Sequence, residues 1–186
     1  TAHFGLQMGH HIRPTAFSVV SFAIMNCETL GDALRSMHRY QSLVSEGGTT
    51  SFSTFGKQTK ISYTPLKLNA HSRHEVEAMA ALLVGFARWL TSDSFTPAQL
   101  SFAHKSPSCI ADHKSVFRCP LSFEAEGNFA VIDNRWFDHP LPEADSQLFR
   151  LHQDAAEKQL RQMQRRTFTQ RTLAILEGSN HCNWTR

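Results

Sequence analysis

The sequence predicts an α+β domain in which helices pack on one mainly antiparallel sheet, with an N-terminal helical hairpin and C-terminal linker helices. The first observation is the order of the patterns: helical apolar spacing, two alternating stretches, a long helical stripe, and short elements before another long helix. The second is that short polar turns join the alternating stretches, as in antiparallel hairpins.

Length and composition limit the class of protein. With 186 residues, of which 41% are hydrophobic and 19% charged, the chain predicts one globular domain or one domain with a tail. The formal net charge of +3 is too small to indicate nucleic-acid binding on its own. No apolar run reaches the roughly 18 residues of a membrane helix, and no signal peptide opens the sequence. Four scattered cysteines, Cys27, Cys109, Cys119 and Cys182, predict reduced thiols and a cytoplasmic protein.

The first 45 residues predict helices. Residues 1–9 are typical of the end of a helix terminated by Gly9, and Pro14 suits the first turn of the next helix. Thr29 and Asp32 form a capping pair that predicts the start of a further helix. The sequence therefore predicts that the two helices after Pro14 form the hairpin and turn their apolar faces inward.

The middle of the sequence predicts two strands and a long amphipathic helix. Residues 50–56 and 60–66 are β-like stretches on either side of a polar turn. A capping box of Ser72 and Glu75 begins a helix whose apolar stripe comprises Val76, Met79, Ala80, Leu83, Phe86, Ala87 and Leu90. We expect Leu83 to be buried, so that its replacement by alanine costs about 2–5 kcal/mol. We expect Glu77 to lie on the opposite, exposed face.

The second half predicts shorter elements and a polar C-terminal region. A strand over 98–104, a short helix over 111–117 and a hairpin of strands 121–125 and 128–133 follow one another. A long polar helix over 145–166 carries a thin apolar stripe of Leu148, Leu151, Ala155, Leu160 and Met163. A separate helix over 167–176 is predicted to end at Gly178.

Several short sequence words, taken in order, resemble one known family. They are Gly-Leu, Arg-Pro, Thr-Leu-Gly-Asp-Ala-Leu and Arg-Tyr-Gln, followed by LSFAHKSP, RCPLSFEAEGNFAVID and HPLPEAD. These words resemble the effector-sensing, arabinose-binding-like half of one branch of the AraC-type (AraC/XylS) transcriptional regulators, from Phe4 to about Leu160. None of them is a catalytic motif, since they consist of packing and turn residues.

The resemblance implies a sensing and dimerisation domain over residues 1–166. Residues 167–186 would be a linker helix and the start of a truncated DNA-binding region, without the helix-turn-helix units themselves. A small molecule would control dimerisation and DNA binding, and DNA would be contacted only through that further domain. No cofactor, metal ion or membrane partner is predicted.

Aromatic residues and methionines between the predicted helices and sheet are the candidate effector-binding residues. They are Phe17, Phe22, Met25, Met37, Tyr40, Tyr63, Phe86 and Trp89, with Arg13 as a candidate polar contact. Core packing explains most of them when each is taken singly. Arg13, His38 or Arg39 could orient an acidic effector, although a solvated side chain is the ordinary alternative for each.

The thin stripe of the C-terminal helix predicts a homodimer contact through Leu148, Leu151 and Ala155. This stripe is too thin for a fully buried helix and too apolar for a fully solvated one. The alternative is that the stripe lies on the domain's own sheet and that the protein is monomeric.

Other function classes were weighed from the residues. The closest histidine groupings are His10 with His11, His71 with His74, and His104 with His113. His71 and His74 lie one helical turn apart, which would suit two metal ligands, but no metal motif accompanies them, so surface histidines are expected. Cys109, Asp112 and His113 could supply the nucleophile and base of a Cys/His hydrolase, but no nucleophile elbow or oxyanion loop is present, and no enzyme is predicted. A standalone small-molecule binding protein unconnected with DNA is the remaining alternative.

Overall fold

The computed structural model describes residues 4–12, 19–66 and 73–179. Its helices are α1 (Phe4–His11), α2 (Val19–Met25), α3 (Leu30–Arg39), α4 (Gln41–Val44), α5 (Arg73–Leu90), α6 (Ala111–Phe117) and α7 (Ser146–Ser179). Its strands are β1 (Gly48–Phe55), β2 (Gln58–Pro65), β3 (Gln99–Ser101), β4 (Leu121–Ser122) and β5 (Asn128–Asp133). The α+β class with a mainly antiparallel sheet is confirmed. None of the described helices combines the length and apolar character that a bilayer-spanning helix requires.

The five strands lie in the order β1-β2-β5-β3-β4, and only β3 and β4 are parallel neighbours. The predicted hairpin of 121–125 with 128–133 is therefore wrong, because β3 lies between the two strands. The amides of Glu124 and Ala125 donate to the carbonyls of His104 and Phe102, each at 3.0 Å. The segment after β4 thus pairs with the residues that follow β3. The amides of Glu124 and Ala125 are therefore not available to β5.

The predicted cap of the helix after Thr29 is confirmed. The amide of Asp32 donates to Thr29 Oγ1 at 3.1 Å, and that hydroxyl donates to Asp32 Oδ2 at 2.7 Å. This exchange satisfies an amide at the start of α3 that has no partner within the helix.

Arg13, Pro14, Phe17 and Ser72, which the sequence predictions also use, lie outside the described residues.

Gly9 does not end the first helix but lies inside α1. A Cβ atom at Gly5 would lie 1.9 Å from the carbonyl oxygen of His74, and one at Gly9 would lie 2.3 Å from that of Ala78. Both glycines therefore allow the backbones of α1 and α5 to touch. The glycine that the sequence indicated as a helix end is a packing residue.

Helix α5 is covered by protein on nearly all sides, contrary to the prediction of one exposed face. Glu77, expected to be exposed, has 0% of its surface accessible, and Arg88 has 6%. Leu83, expected in the centre of the buried stripe, is only partly buried. The prediction was wrong because it assumed that charged side chains on this helix point to solvent, whereas α1 and α6 cover them.

Helix α7 is one continuous helix of 34 residues, and not the two helices that the sequence predicted around residue 167. Gly178 lies within it. Its inner face carries Ala156, which is fully buried, and the partly buried Phe149 and Leu160. Leu148 and Leu151 are 44% and 63% exposed, so these two leucines do not lie on the domain's own core.

Candidate functional site

A cavity lies between the sheet on one side and α5, α2 and α3 on the other. The space between its walls, including open solvent at its mouth, amounts to about 1130 Å³. Its apolar walls are formed mainly by Val20, Ile24, Leu34, Met37, Val44, Phe52, Ile61, Tyr63, Val76, Met79, Leu82, Leu83, Phe86, Leu100, Phe102 and Phe129, with the small Ala80 and Ala130 between them.

The floor of the cavity is a row of side chains that crosses four strands. Phe52 is paired with Ile61, Ile61 with Ala130, and Ala130 with Leu100. Directly paired residues point to the same face of a sheet. With neighbouring strands about 4.8 Å apart, three gaps give this row a length of roughly 14 Å.

A second row, Thr50, Tyr63 and Asn128, is parallel to the first and adds polar groups to the floor. The Tyr63 hydroxyl donates to Glu75 Oε1 at 3.0 Å. Burial, together with this hydrogen bond to a carboxylate, raises the pKa of Tyr63 above its usual range. A Cβ at Gly48 would lie 2.5 Å from Tyr63 Cζ, so the glycine makes room for the tyrosine ring.

The polar groups at the α3–α4–β1 end of the cavity form a small hydrogen-bonded cluster around Thr50. His38 Nδ1 lies 2.7 Å from Thr50 Oγ1. Gln41 Oε1 accepts from both the amide and the hydroxyl of Thr50, at 2.9 and 2.6 Å. Because His38 is exposed, this end is the mouth of the cavity.

The helices that border the cavity also hold α7. On α2, the ring of Phe22 stacks on His152 with 5.5 Å between the ring centroids. At the end of α3, the Arg39 guanidinium and the Tyr40 hydroxyl both donate to Glu157 Oε1, at 2.6 and 2.7 Å. The hydrogen bonds from Arg39 and Tyr40 lower the pKa of the Glu157 carboxyl. The cavity wall and the anchor of α7 are therefore formed by the same two helices.

The structure brings some of the predicted effector-binding residues together and separates others. Met37, Tyr63 and Phe86 line the cavity, as does His38. Phe22 and Trp89 are exposed, while Met25 and Tyr40 pack in the core away from the cavity wall. Sequence reasoning missed the floor row Phe52, Ile61, Ala130 and Leu100, because strand register brings these residues together and the sequence does not display it. The alternation of Ile61 and Tyr63 was the one local signal for this face.

A polar cluster occupies the other side of α5. Glu77 Oε1 lies 2.9 Å from His113 Nε2 and 3.6 Å from His104 Nε2, and Glu77 Oε2 lies 3.8 Å from His74 Nδ1. Burial alone would raise the pKa of the Glu77 carboxyl, but the His113 hydrogen bond and the charges of His113, His104 and Arg73 lower it. Within the described ranges, no group of three or more His, Cys, Asp or Glu side chains is arranged to hold a metal ion.

The three described cysteines lie in different environments. Cys109 is exposed, whereas His113, its proposed base, is fully buried against Glu77. Burial raises the pKa of the Cys27 and Cys119 thiols to about 11. A thiol with a raised pKa is a poor nucleophile at neutral pH, since the thiolate is the reactive form.

Comparison with known proteins gives a likeness of structure and a likeness of sequence. The fold is similar to the crystal structure of the transcriptional regulator CdpR from Pseudomonas aeruginosa, with a TM-score of 0.70 and 16% sequence identity. The alignment covers 80% of this chain and 49% of CdpR, so the chain spans about half the length of that regulator. No curated protein matches the chain.

The sequence likeness covers a similar share of the chain. Residues 1–141 match the family described as the "Arabinose-binding domain of AraC transcription regulator, N-term". This match covers most of the chain and confirms the resemblance found in the sequence words. The protein belongs to the family of N-terminal arabinose-binding domains of AraC transcription regulators.

Proposed function

We propose that this chain is the effector-sensing domain of a bacterial, cytoplasmic AraC-type regulator and that the cavity under α5 binds the effector. Residues 1–166 form the sensing unit, and residues 167–186 lead towards a DNA-binding domain. DNA is contacted only through that further domain. The domain itself is a binding module and not an enzyme.

The observation that carries this proposal is that α2 and α3 border the cavity on one side and hold α7 on the other. A ligand that contacts Val20, Ile24 or Met37 favours one position of these helices over another. Because Phe22, Arg39 and Tyr40 extend from the same helices to α7, that preference reaches the helix that leads out of the domain. A ligand shifts such an equilibrium only by its difference in affinity for the two positions.

The test is a thermal-shift screen of this chain against a panel of sugars, amino acids, nucleotides, alcohols and carboxylic acids. We expect at least one compound class to raise the Tm of the wild type, since a ligand that binds only the folded state stabilises it. Ala80→Trp, which places an indole in the cavity, should abolish the shift. Ala111→Trp, at an exposed position on α6, should keep it. A panel without any shift, or equal shifts in the wild type and Ala80→Trp, would contradict the proposal.

We further propose that the effector acts on a homodimer in which α7 forms the contact between the two copies. Leu148, Leu151 and the exposed Ala155 form an apolar patch on the side of α7 that faces away from α2. In a twofold dimer each copy presents the same patch to its mate. Burying this patch gives these leucines the apolar contact that the domain's own core does not provide.

Sedimentation of the double variant Leu148→Glu/Leu151→Glu tests the dimer. The wild type is expected to sediment as a dimer at micromolar concentration and the variant as a folded monomer. The control is Phe55→Glu/Leu66→Glu, which charges two other exposed apolar residues and should leave the dimer intact. A monomeric wild type, or a dimer that survives in the α7 variant, would refute the role of this patch.

A further inference from the structure

We propose that the ligand of the cavity is an uncharged, largely apolar molecule, elongated like an alkyl chain, with one polar end at His38, Gln41 and Thr50. This inference depends on the proposed function, because it names the chemical class of the effector for the same cavity.

The residue composition of the described walls is the first argument. Among the described lining residues there is no Asp, Glu, Lys or Arg side chain. Arg39, a candidate cation from the sequence, pairs with Glu157 and does not line the cavity, and Arg13 lies outside the described residues. A buried ligand charge without a partner loses its hydration and gains nothing comparable. Amino acids, nucleotides and sugar phosphates therefore do not fit this wall.

The hydrogen-bonding state of the polar lining groups is the second argument. Thr50 is bonded to His38 and Gln41, and the Tyr63 hydroxyl donates to Glu75. Asn128 Oδ1 accepts from the Ala103 amide at 2.9 Å. A monosaccharide presents hydroxyl groups on all sides, and each hydroxyl that meets an apolar wall costs free energy. The polar groups at one end suit a single hydroxyl or carbonyl and do not suit a sugar.

The elongated shape of the cavity is the third argument. The floor row Phe52–Ile61–Ala130–Leu100 gives the cavity a length of roughly 14 Å across four strands. On the opposite wall, Met79, Leu83 and Phe86 of α5 extend the apolar surface over the same row. An extended hydrocarbon body contacts both walls along this length, and its transfer from water is favourable by about 0.8 kcal/mol per CH₂ group.

The test is fluorescence titration of this chain with N-phenyl-1-naphthylamine, an uncharged apolar probe, followed by displacement. We expect the probe to bind the wild type and 1-decanol to displace it. Decanoate at neutral pH has the same chain with a charged end, and it should displace the probe at least about ten-fold less well. L-arabinose should not displace it at millimolar concentration.

Variants show whether the probe reports on the cavity. Ala80→Trp should remove probe binding, and the milder Ala80→Leu should weaken it if the tryptophan variant does not fold. Ala111→Trp should bind as the wild type does. Equal displacement by decanoate and decanol would overturn the uncharged class.

The outcomes separate the ligand class from the proposed function. If L-arabinose or an amino acid stabilises the wild type but not Ala80→Trp, the cavity is the effector site and the apolar class is wrong. If the probe binds Ala80→Trp as well as the wild type, and no compound of the thermal-shift panel depends on Ala80, both proposals fail.

Discussion

Helix α5 has two covered sides that differ in how they are filled. The side that faces the sheet carries Met79, Leu83 and Phe86 and borders the cavity. The side that faces α1 and α6 carries Glu77 and Arg88, each bonded directly to neighbouring groups. One side therefore borders an open space, and the other packs against protein with hydrogen bonds from Glu77 and Arg88.

Arg88 illustrates the closed side. Its guanidinium donates to the carbonyl oxygen of Phe95 at 3.1 Å and to the carbonyl oxygens of Val116 and Phe117. These bonds join the C-terminal end of α5 to the end of α6 and to the loop before β3. Since hydrogen bonds are directional and apolar contacts are not, this side holds α5 in one position.

The largest expected effect is that of Arg88→Met. The variant leaves three buried carbonyl groups without their donor, and we expect the free energy of unfolding to fall by about 4 kcal/mol. Chemical denaturation measures it. The control Arg35→Met removes an exposed pair with Asp32, whose arginine side chain is 61% accessible, and should cost less than about 0.5 kcal/mol. Similar losses for the two variants would remove the distinction between the sides of α5.

Glu77→Ala is expected to lower the free energy of unfolding by about 3 kcal/mol, because it removes the carboxylate that hydrogen-bonds the buried His113 ring. Urea denaturation provides the measurement. Glu143→Ala, at an exposed position before α7, serves as the control and should be close to neutral. A neutral Glu77→Ala would support the original sequence prediction of an exposed residue and contradict the structure.

Leu83→Ala is expected to cost only about 1–2 kcal/mol, below the range for a fully buried leucine. The reason is that Leu83 is partly buried and borders existing space, so its truncation enlarges the cavity without creating a new one. Leu30→Ala, at a fully buried position outside the cavity wall, should cost more. Thermal unfolding of the two variants compares them. A larger loss at Leu83 would mean that the cavity is closed in solution.

The smallest expected effect is that of Glu77 on how the free energy of unfolding depends on pH. The pKa of Glu77 is lowered in the folded state, so its contribution is complete above its unfolded pKa of about 4.3 and is lost as the pH falls below that value. Each unit of pKa difference corresponds to about 1.36 kcal/mol. Wild type should therefore lose more stability than Glu77→Gln between about pH 5 and pH 3. Glu143→Gln should follow the wild type, and parallel curves for all three proteins would refute the linkage.

Local features of the fold were predictable from the sequence. The Thr29–Asp32 cap, the β1–β2 hairpin and helix α6 each depend on residues within a few positions of one another. The position of β4 was not predictable in this way. Its partners Leu100 and Ser101 are about twenty positions away, and a glycine turn at 126–127 favoured the wrong neighbour.

The candidate site was predictable only in part, for a similar reason. Met37, Tyr63 and Phe86 were found from residue type and helical or strand period. The floor row depends on the register of four strands, and the buried state of Glu77 depends on α6, which is distant in the sequence. Exposed aromatic residues such as Trp89 and Phe22 could not be distinguished from cavity residues by type alone.

The glycine contacts of α1 determine where the domain can be shortened. Leu6 is fully buried, and the Gly5 amide donates to His74 Nδ1 at 3.4 Å beside the Glu77 cluster. A protein that begins at residue 19 would lose this covering helix and expose part of the apolar cluster to which Leu6 belongs. An exposed apolar surface of this kind promotes aggregation. Expression of the sensing unit therefore requires a starting point before Phe4, although α1 contributes no residue to the cavity wall.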